Sequence, residues 1–147
     1  MPNKTNSVSY YNGMNLRAAV DKSFDYLRGI DRLIVSHVNY NVQEYLDVGC
    51  GDGVRGQFLI QKLRPSSSVF IDSSPEMIGK AAALGVAECL HQSIVTLNHK
   101  DKYDLITCLW NVFGHIENKE IRLKSLIKIR DSLVPRGLFF IDFNNRY

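Results

Sequence analysis

The apolar residues of the chain change their period along its length, and the changes mark out alternating helices and strands. From about Leu16 to Val38, the positions Leu16, Val20, Phe24, Leu27, Ile30, Leu33 and Ile34 recur at helical spacing with Lys and Asp between them. That spacing predicts an amphipathic leading helix over about 15–38, broken near Gly29. The polar stretch 1–12 ahead of it predicts a mobile start. Glu44–Val48 reads as a short buried strand, followed by the glycine-rich turn Gly49–Gly53 and a helix that carries Phe58, Leu59 and Leu63 and stops at Pro65. Next come a strand over Ser68–Ile71, a helix opened by Ser74-Pro75 and closed near Gly85, and a short strand around Ala87–Leu90. After the polar loop 98–103 the pattern gives a strand over Asp104–Leu109 and a helix from about Asn118 to Leu133. A last strand, Gly137–Phe143, follows the turn Pro135-Arg136-Gly137.

Strands alternating with helices predict an α/β fold: a doubly wound parallel sheet of order 3-2-1-4-5 with right-handed crossovers and helices on both faces. Such an order opens a ligand crevice beside the carboxyl end of strand 1, where the first glycine turn lies. Composition agrees with one domain spanning 1–147, its Rossmann-like core over 44–143: 45% of the residues are hydrophobic and 22% charged. The net charge of +3 is spread along the chain and gives no footprint for a nucleic-acid backbone. Cys50, Cys89 and Cys108 cannot all pair and show no metal-ligand spacing, so they read as structural thiols of a reducing compartment, with no metal site. No stretch approaches the roughly 18 apolar residues of a membrane span, and a cytoplasmic protein is expected.

Chemistry concentrates in Tyr45-Leu46-Asp47-Val48-Gly49-Cys50-Gly51-Asp52-Gly53. Glycines at 49, 51 and 53 let the chain reverse sharply and bring a ligand against bare backbone. Gly51 to Gly56 also spells G-x-G-x-x-G, so the glycines alone leave open a nicotinamide cofactor and a different nucleoside ligand. Asp47 decides between them. A pyrophosphate at the helix N-terminus would face its carboxylate, whereas a ligand carrying an ammonium and a sulfonium would be attracted to it. Downstream, Asp72 ends strand 2 at the distance expected of an acid that accepts hydrogen bonds from ribose hydroxyls. Each acid has a plainer reading: Asp47 as a cap on the turn, Asp72 as a cap on the helix beginning at Pro75.

Leu46-Asp47-Val48-Gly49-Cys50-Gly51-Asp52-Gly53 resembles motif I of the class I S-adenosylmethionine (SAM) dependent methyltransferases. Phe70-Ile71-Asp72-Ser73-Ser74-Pro75-Glu76-Met77 is similar to the segment that follows it in that family. The resemblance implies that Asp72 binds the ribose and that Ser73 and Met77 lie against the adenine, with core packing the alternative for Met77. His91-Gln92-Ser93-Ile94 stands where the family often has an acid holding the adenine amino group, which assigns that work here to Gln92 or Ser93. Tyr103-Asp104-Leu105-Ile106 resembles the entry to the family's strand 4, and Leu133-Val134-Pro135-Arg136-Gly137-Leu138 its turn before strand 5. The segment from Leu109 and Trp110-Asn111 to Ile116 is similar to the loop crossing the methionine end of the cofactor. By the same resemblance Asp47, Gly49, Cys50, Gly51, Gly53, Ile94, Leu109, Trp110 and Asn111 join the cofactor set, and S-adenosylhomocysteine is the product.

Methyl transfer is a displacement at an already activated carbon, so the protein has mainly to align donor and acceptor and exclude water. His115 is the available imidazole for taking a proton from an amine or hydroxyl acceptor, with a structural role the alternative. Asp142, Asn144 and Asn145 point by position toward the crevice as an acceptor cluster. Tyr10 and Tyr11 read as a lid from the leading segment, Tyr11 being counted with the cofactor set, or as packing residues. The family's final antiparallel hairpin is missing, which suggests a fragment of a longer protein and leaves a strand edge inviting self-association. Expected partners are a small-molecule acceptor, with no nucleic acid and no membrane, and a second copy through the exposed sheet edge. A noncatalytic SAM-binding subunit and a nicotinamide-dependent oxidoreductase domain are the competing readings.

Overall fold

Along each central strand, neighbouring side chains bury on opposite faces, and helices cover both. The computed structural model describes residues 24–116 and 118–143. It contains β1 (Glu44–Val48), β2 (Ser67–Asp72), β3 (Glu88–His91), β4 (Tyr103–Cys108) and β5 (Leu133–Ile141), with α1 (Phe24–His37), α2 (Val54–Leu63), α3 (Pro75–Ala82) and α4 (Lys119–Ser132) between them. Every strand pairing is parallel and the order is β3-β2-β1-β4-β5, as the alternation predicted. Leu46, Val48, Val69, Ile71 and Ile106 face one way and meet Ile129 of α4. Tyr45, Phe70 and Leu105 face the other and meet Ile34 of α1, Leu59 of α2 and Ala81 of α3. Tyr45 through Val48 are all buried, which is why β1 carries no polar-out alternation.

Local chemistry sets the helix ends. Ser74 caps α3 by accepting the Met77 N–H at 3.2 Å, with Pro75 in the first turn where its missing N–H costs nothing. Asn118 caps α4, its Oδ1 accepting the N–H groups of Glu120 at 2.8 Å and Ile121 at 3.1 Å. Arg64 closes α2 in a left-handed conformation just before Pro65.

Four details correct the sequence reading. The described part of the leading helix, α1, runs unbroken through Gly29: that glycine is exposed, and an exposed helical glycine weakens a helix without ending it. Leu33 lies on the solvent side, 58% exposed, so the buried stripe is carried by Leu27 and Ile34. The strand expected around Ala87–Leu90 is shifted one residue on. The last strand starts at Leu133, directly after α4, and ends at Ile141. Leu133 pairs with Tyr103 and Leu138 with Leu105, so Val134 to Gly137 bulge opposite Asp104 and the Pro135-Arg136-Gly137 turn lies inside the strand. Leu16, Val20 and the 1–12 start lie outside the described residues. Among the described residues no helix is long and apolar enough to cross a membrane.

Candidate cofactor site

The carboxyl ends of β1 and β2 and the loop after β4 enclose a cleft holding about 920 Å³ of empty space, its open mouth included. The glycine turn forms its floor, pinned to β2 by hydrogen bonds from the Gly49 and Cys50 N–H groups to the Ile71 carbonyl at 2.8 and 3.1 Å. Gly49 has φ +67°, and a Cβ there would come within 2.6 Å of Val112 Cγ2, so both the turn and the approach of the β4 loop need glycine. Of the residues expected from sequence, Asp47, Gly49, Cys50 and Gly51 line the cleft on the turn side. Asp72, Met77 and Ile94 line it beyond β2, and Leu109, Trp110 and His115 from the loop after β4.

Asp47 is 3% exposed. Its Oδ1 accepts the Thr107 hydroxyl at 2.7 Å from the facing position of β4. With the threonine proton so used, the buried Tyr45 hydroxyl donates to Thr107 Oγ1, also at 2.7 Å. Asp47 therefore belongs to a hydroxyl relay and does not cap the turn. Burial pushes its pKa up to about 7 against the lowering effects of Thr107 and Arg55. Asp72 does cap its surroundings: Oδ2 accepts the Gly51 N–H at 2.9 Å and Oδ1 the Ser74 N–H at 2.8 Å. A carboxylate offers about four acceptor positions, so both oxygens retain capacity toward the cleft.

Other expected residues stand off the cleft lining. Ser73 is exposed, with its carbonyl 3.1 Å from His91 Nε2. The Gln92 side-chain amide donates to the Thr96 carbonyl at 3.2 Å, and Ser93 precedes the short 3-10 turn Ile94–Thr96. Gly53, with φ +80°, packs beneath α3 at Ala81. Asn111 follows the lining, its N–H donating to Asp142 Oδ1 at 2.7 Å. His115, by contrast, belongs to the lining: it ends the 3-10 turn Val112–His115 and is exposed at the cleft. Tyr10, Tyr11, Asn144 and Asn145 lie outside the described residues.

Sequence reasoning missed Arg55, which lines the cleft at 7% exposure and donates from Nε and Nη2 to Asp31 Oδ1 at 3.0 and 2.7 Å. Its Nη1 reaches Asp142 Oδ2 at 3.3 Å. The signal lay in α1: Asp31 sits between Leu27 and Ile34 on the buried stripe, where an acid requires a buried partner. Burial lowers the tendency of Arg55 to hold its proton, but the hydrogen bond and charge of Asp31, joined by Asp142, outweigh it and raise its pKa. The Cys50 and Cys108 thiols are buried, and burial pushes both pKa values up, so they are poor nucleophiles. Among the described residues no group of three or more His, Cys, Asp or Glu is placed to hold a metal ion.

A five-stranded parallel sheet of this order, with a glycine turn and two acids at the ends of its first two strands, defines a Rossmann-like nucleoside-binding fold. Residues 46–139 match the methyltransferase domain family, and the chain belongs to it, as a class I SAM-dependent member. A glycine/sarcosine N-methyltransferase of Halorhodospira halochloris is 28% identical over 98% of this chain and 58% of its own length. A glycine/sarcosine/dimethylglycine N-methyltransferase of Actinopolyspora halophila is 30% identical over 71% of this chain and 20% of its own. The chain thus spans little more than half of the first relative and a fifth of the second. In fold it is similar to the N-methyltransferase NodS of Bradyrhizobium japonicum in complex with S-adenosylhomocysteine, with a TM-score of 0.77 at 19% identity, covering 92% of this chain and 70% of NodS. A SAM-dependent methyltransferase of Leishmania major superposes equally well, TM-score 0.77 at 20% identity, covering 91% of this chain and 58% of that one.

Proposed function

We propose that the cleft binds SAM and that the protein transfers its methyl group to the nitrogen of a small-molecule amine. The observation that carries this reading is the pair of carboxylates, Asp47 and Asp72, at the ends of adjacent strands on either side of the glycine turn, facing an apolar wall of Met77, Ile94, Leu109 and Trp110. The donor set suits the ligand. Asp47 is a buried acid whose ionised form a nearby cation would stabilise. Asp72 retains acceptor capacity for the ribose hydroxyls, and Met77 with Ile94 contributes apolar lining where the adenine would lie. Bound there, SAM supplies a methyl group already activated by its sulfonium. The Trp110-Asn111 loop holds the methionine end and excludes water, and His115, exposed at the mouth, takes the proton of the acceptor amine. Support for an amine comes from the relatives, whose names specify N-methylation of glycine and sarcosine, and support for a small molecule over nucleic acid from the absence of a basic face in the sequence.

Calorimetric titration of the chain with SAM and separately with NADH tests the cofactor. SAM is expected to bind, and Asp72→Asn to weaken it; binding of NADH instead, or no SAM binding by folded chain, overturns the reading. Methyl transfer to glycine, sarcosine and other small amines tests the acceptor. Binding without turnover on any of them would favour a noncatalytic subunit.

A further inference from the structure

Trp110 and Asn111 both lie in the left-handed region, with φ +69° and +56°. Two consecutive non-glycine residues there are costly and persist only where the surroundings hold them. Among the contacts that hold them, the Gly114 N–H donates to the Asn111 carbonyl at 2.9 Å, and the Asn111 N–H donates at 2.7 Å to Oδ1 of Asp142. Asp142 follows directly on β5, its own N–H reaching the Cys108 carbonyl at a long 3.4 Å. Its second oxygen is gripped by Arg55, whose other nitrogens bond Asp31 on α1, and the Arg55 and Asp31 side chains are 8% and 1% exposed. A continuous chain of charged contacts therefore runs from the leading helix through the first turn of α2 to the tip of β5 and the loop after β4.

We propose that Asp31, Arg55 and Asp142 are positioning residues that set the Trp110-Asn111 loop of the cleft, and that α1 biases the cofactor site through them. Charge makes the coupling directional. Arg55 neutralises Asp142 from one side, leaving its other oxygen to hold the loop N–H, and Asp31 fixes which way the guanidinium fork points. Loss of Asp31 leaves Arg55 free to swing toward Asp142 or the cleft, so a change on α1 reaches a loop it does not touch. The bearing of this network on SAM rests on the function proposed above, but the positioning of the loop does not.

Trp110 is the single tryptophan of the sequence, so its fluorescence reports the loop directly in the ligand-free chain. Asp142→Asn and Asp31→Asn are expected to shift Trp110 emission to the red and to increase its quenching by acrylamide while far-ultraviolet dichroism stays folded. SAM affinity should fall by about tenfold in each, since loosening a supporting contact misplaces a binding loop. Ile34→Val, which loosens the packing of α1 without touching the network, should lower the melting temperature and leave Trp110 unchanged; a purely structural role would make all three variants alike. Unchanged Trp110 emission and quenching in folded Asp142→Asn and Asp31→Asn overturns the proposal. Native-state hydrogen exchange on the unsubstituted chain serves if a variant does not fold: the Asn111 amide should be protected, and exchange at the rate of a free amide overturns it. Failure of SAM to bind, with the Trp110 responses as expected, would remove the cofactor reading and leave the network standing.

Discussion

Asp47 lies at the carboxyl end of β1 with its side chain inside the protein, and burial raises its pKa from 3.8 to about 7. A group that binds its proton more tightly when folded contributes its full stability below the unfolded pKa, and that contribution is lost as pH rises through the folded one. Between pH 4 and 7 the ligand-free chain should therefore lose up to roughly 4 kcal/mol from this residue. Asp47→Asn keeps an acceptor for the Thr107 hydroxyl and removes the charge. Its urea denaturation midpoint should exceed the parent's at pH 8 and converge with it near pH 4; a variant less stable than the parent at pH 8 would contradict the assignment. The same substitution should abolish SAM binding, because the ligand's cations supply what the buried carboxylate lacks. In the unsubstituted chain SAM affinity should fall toward about tenfold per unit as pH drops from 7 to 5, the range in which Asp47 takes up its proton. Calorimetry across that range with a flat response would show that Asp47 does not face the ligand's charge.

At the level of elements, most of what the sequence made legible came from periodicity and caps, and most of what it hid came from contacts between elements. The Ser74-Pro75 start of α3 and the Pro65 stop of α2 are encoded in adjacent residues, and they are where the sequence places them. The bulge at Val134 to Gly137 is not, because a proline and a glycine mark a turn equally well whether the ladder resumes afterwards or was already under way. Gly29 misled for a similar reason: a helix-weakening residue breaks a helix only where packing does not carry it across. Leu27 and Ile34 are buried on either side of it, and they hold α1 continuous. A Cβ added at Gly29 would meet nothing within 4 Å. Gly29→Ala should accordingly stabilise the chain by about 1 kcal/mol, raising the melting temperature by roughly 3 °C. A decrease would mean that α1 carries a bend or contact at this residue.

Across the whole molecule the sheet order and the two acids of the cleft were readable in advance, since both follow from the alternation of elements and from residues beside the glycine turn. The Asp31-Arg55-Asp142 network was not, because it joins α1, α2 and β5 across more than a hundred positions of chain, and no local pattern ties an acid to an arginine at that range. Asp31 alone betrayed it, as a charge on a buried stripe. Assembly is the remaining consequence at this scale. Among the described residues β5 pairs only with β4, so its other edge presents unpaired backbone groups along Leu133–Ile141. Natural edges are usually blunted by charge or proline; here Pro135 and Arg136 sit in the bulge, and among the described residues no strand pairs with the far side of Leu138, Phe139, Phe140 and Ile141. Beside it α4, which packs on β5, exposes Leu123 at 59% and Leu126 at 41%. This chain should therefore self-associate with rising concentration, and a lysine at Phe139, whose side chain only partly joins the core, should reduce that association. Sedimentation velocity over a concentration series checks it: a single monomeric boundary at every concentration would mean that the edge of β5 is protected in solution, and unchanged association in folded Phe139→Lys would place the contact elsewhere on the surface.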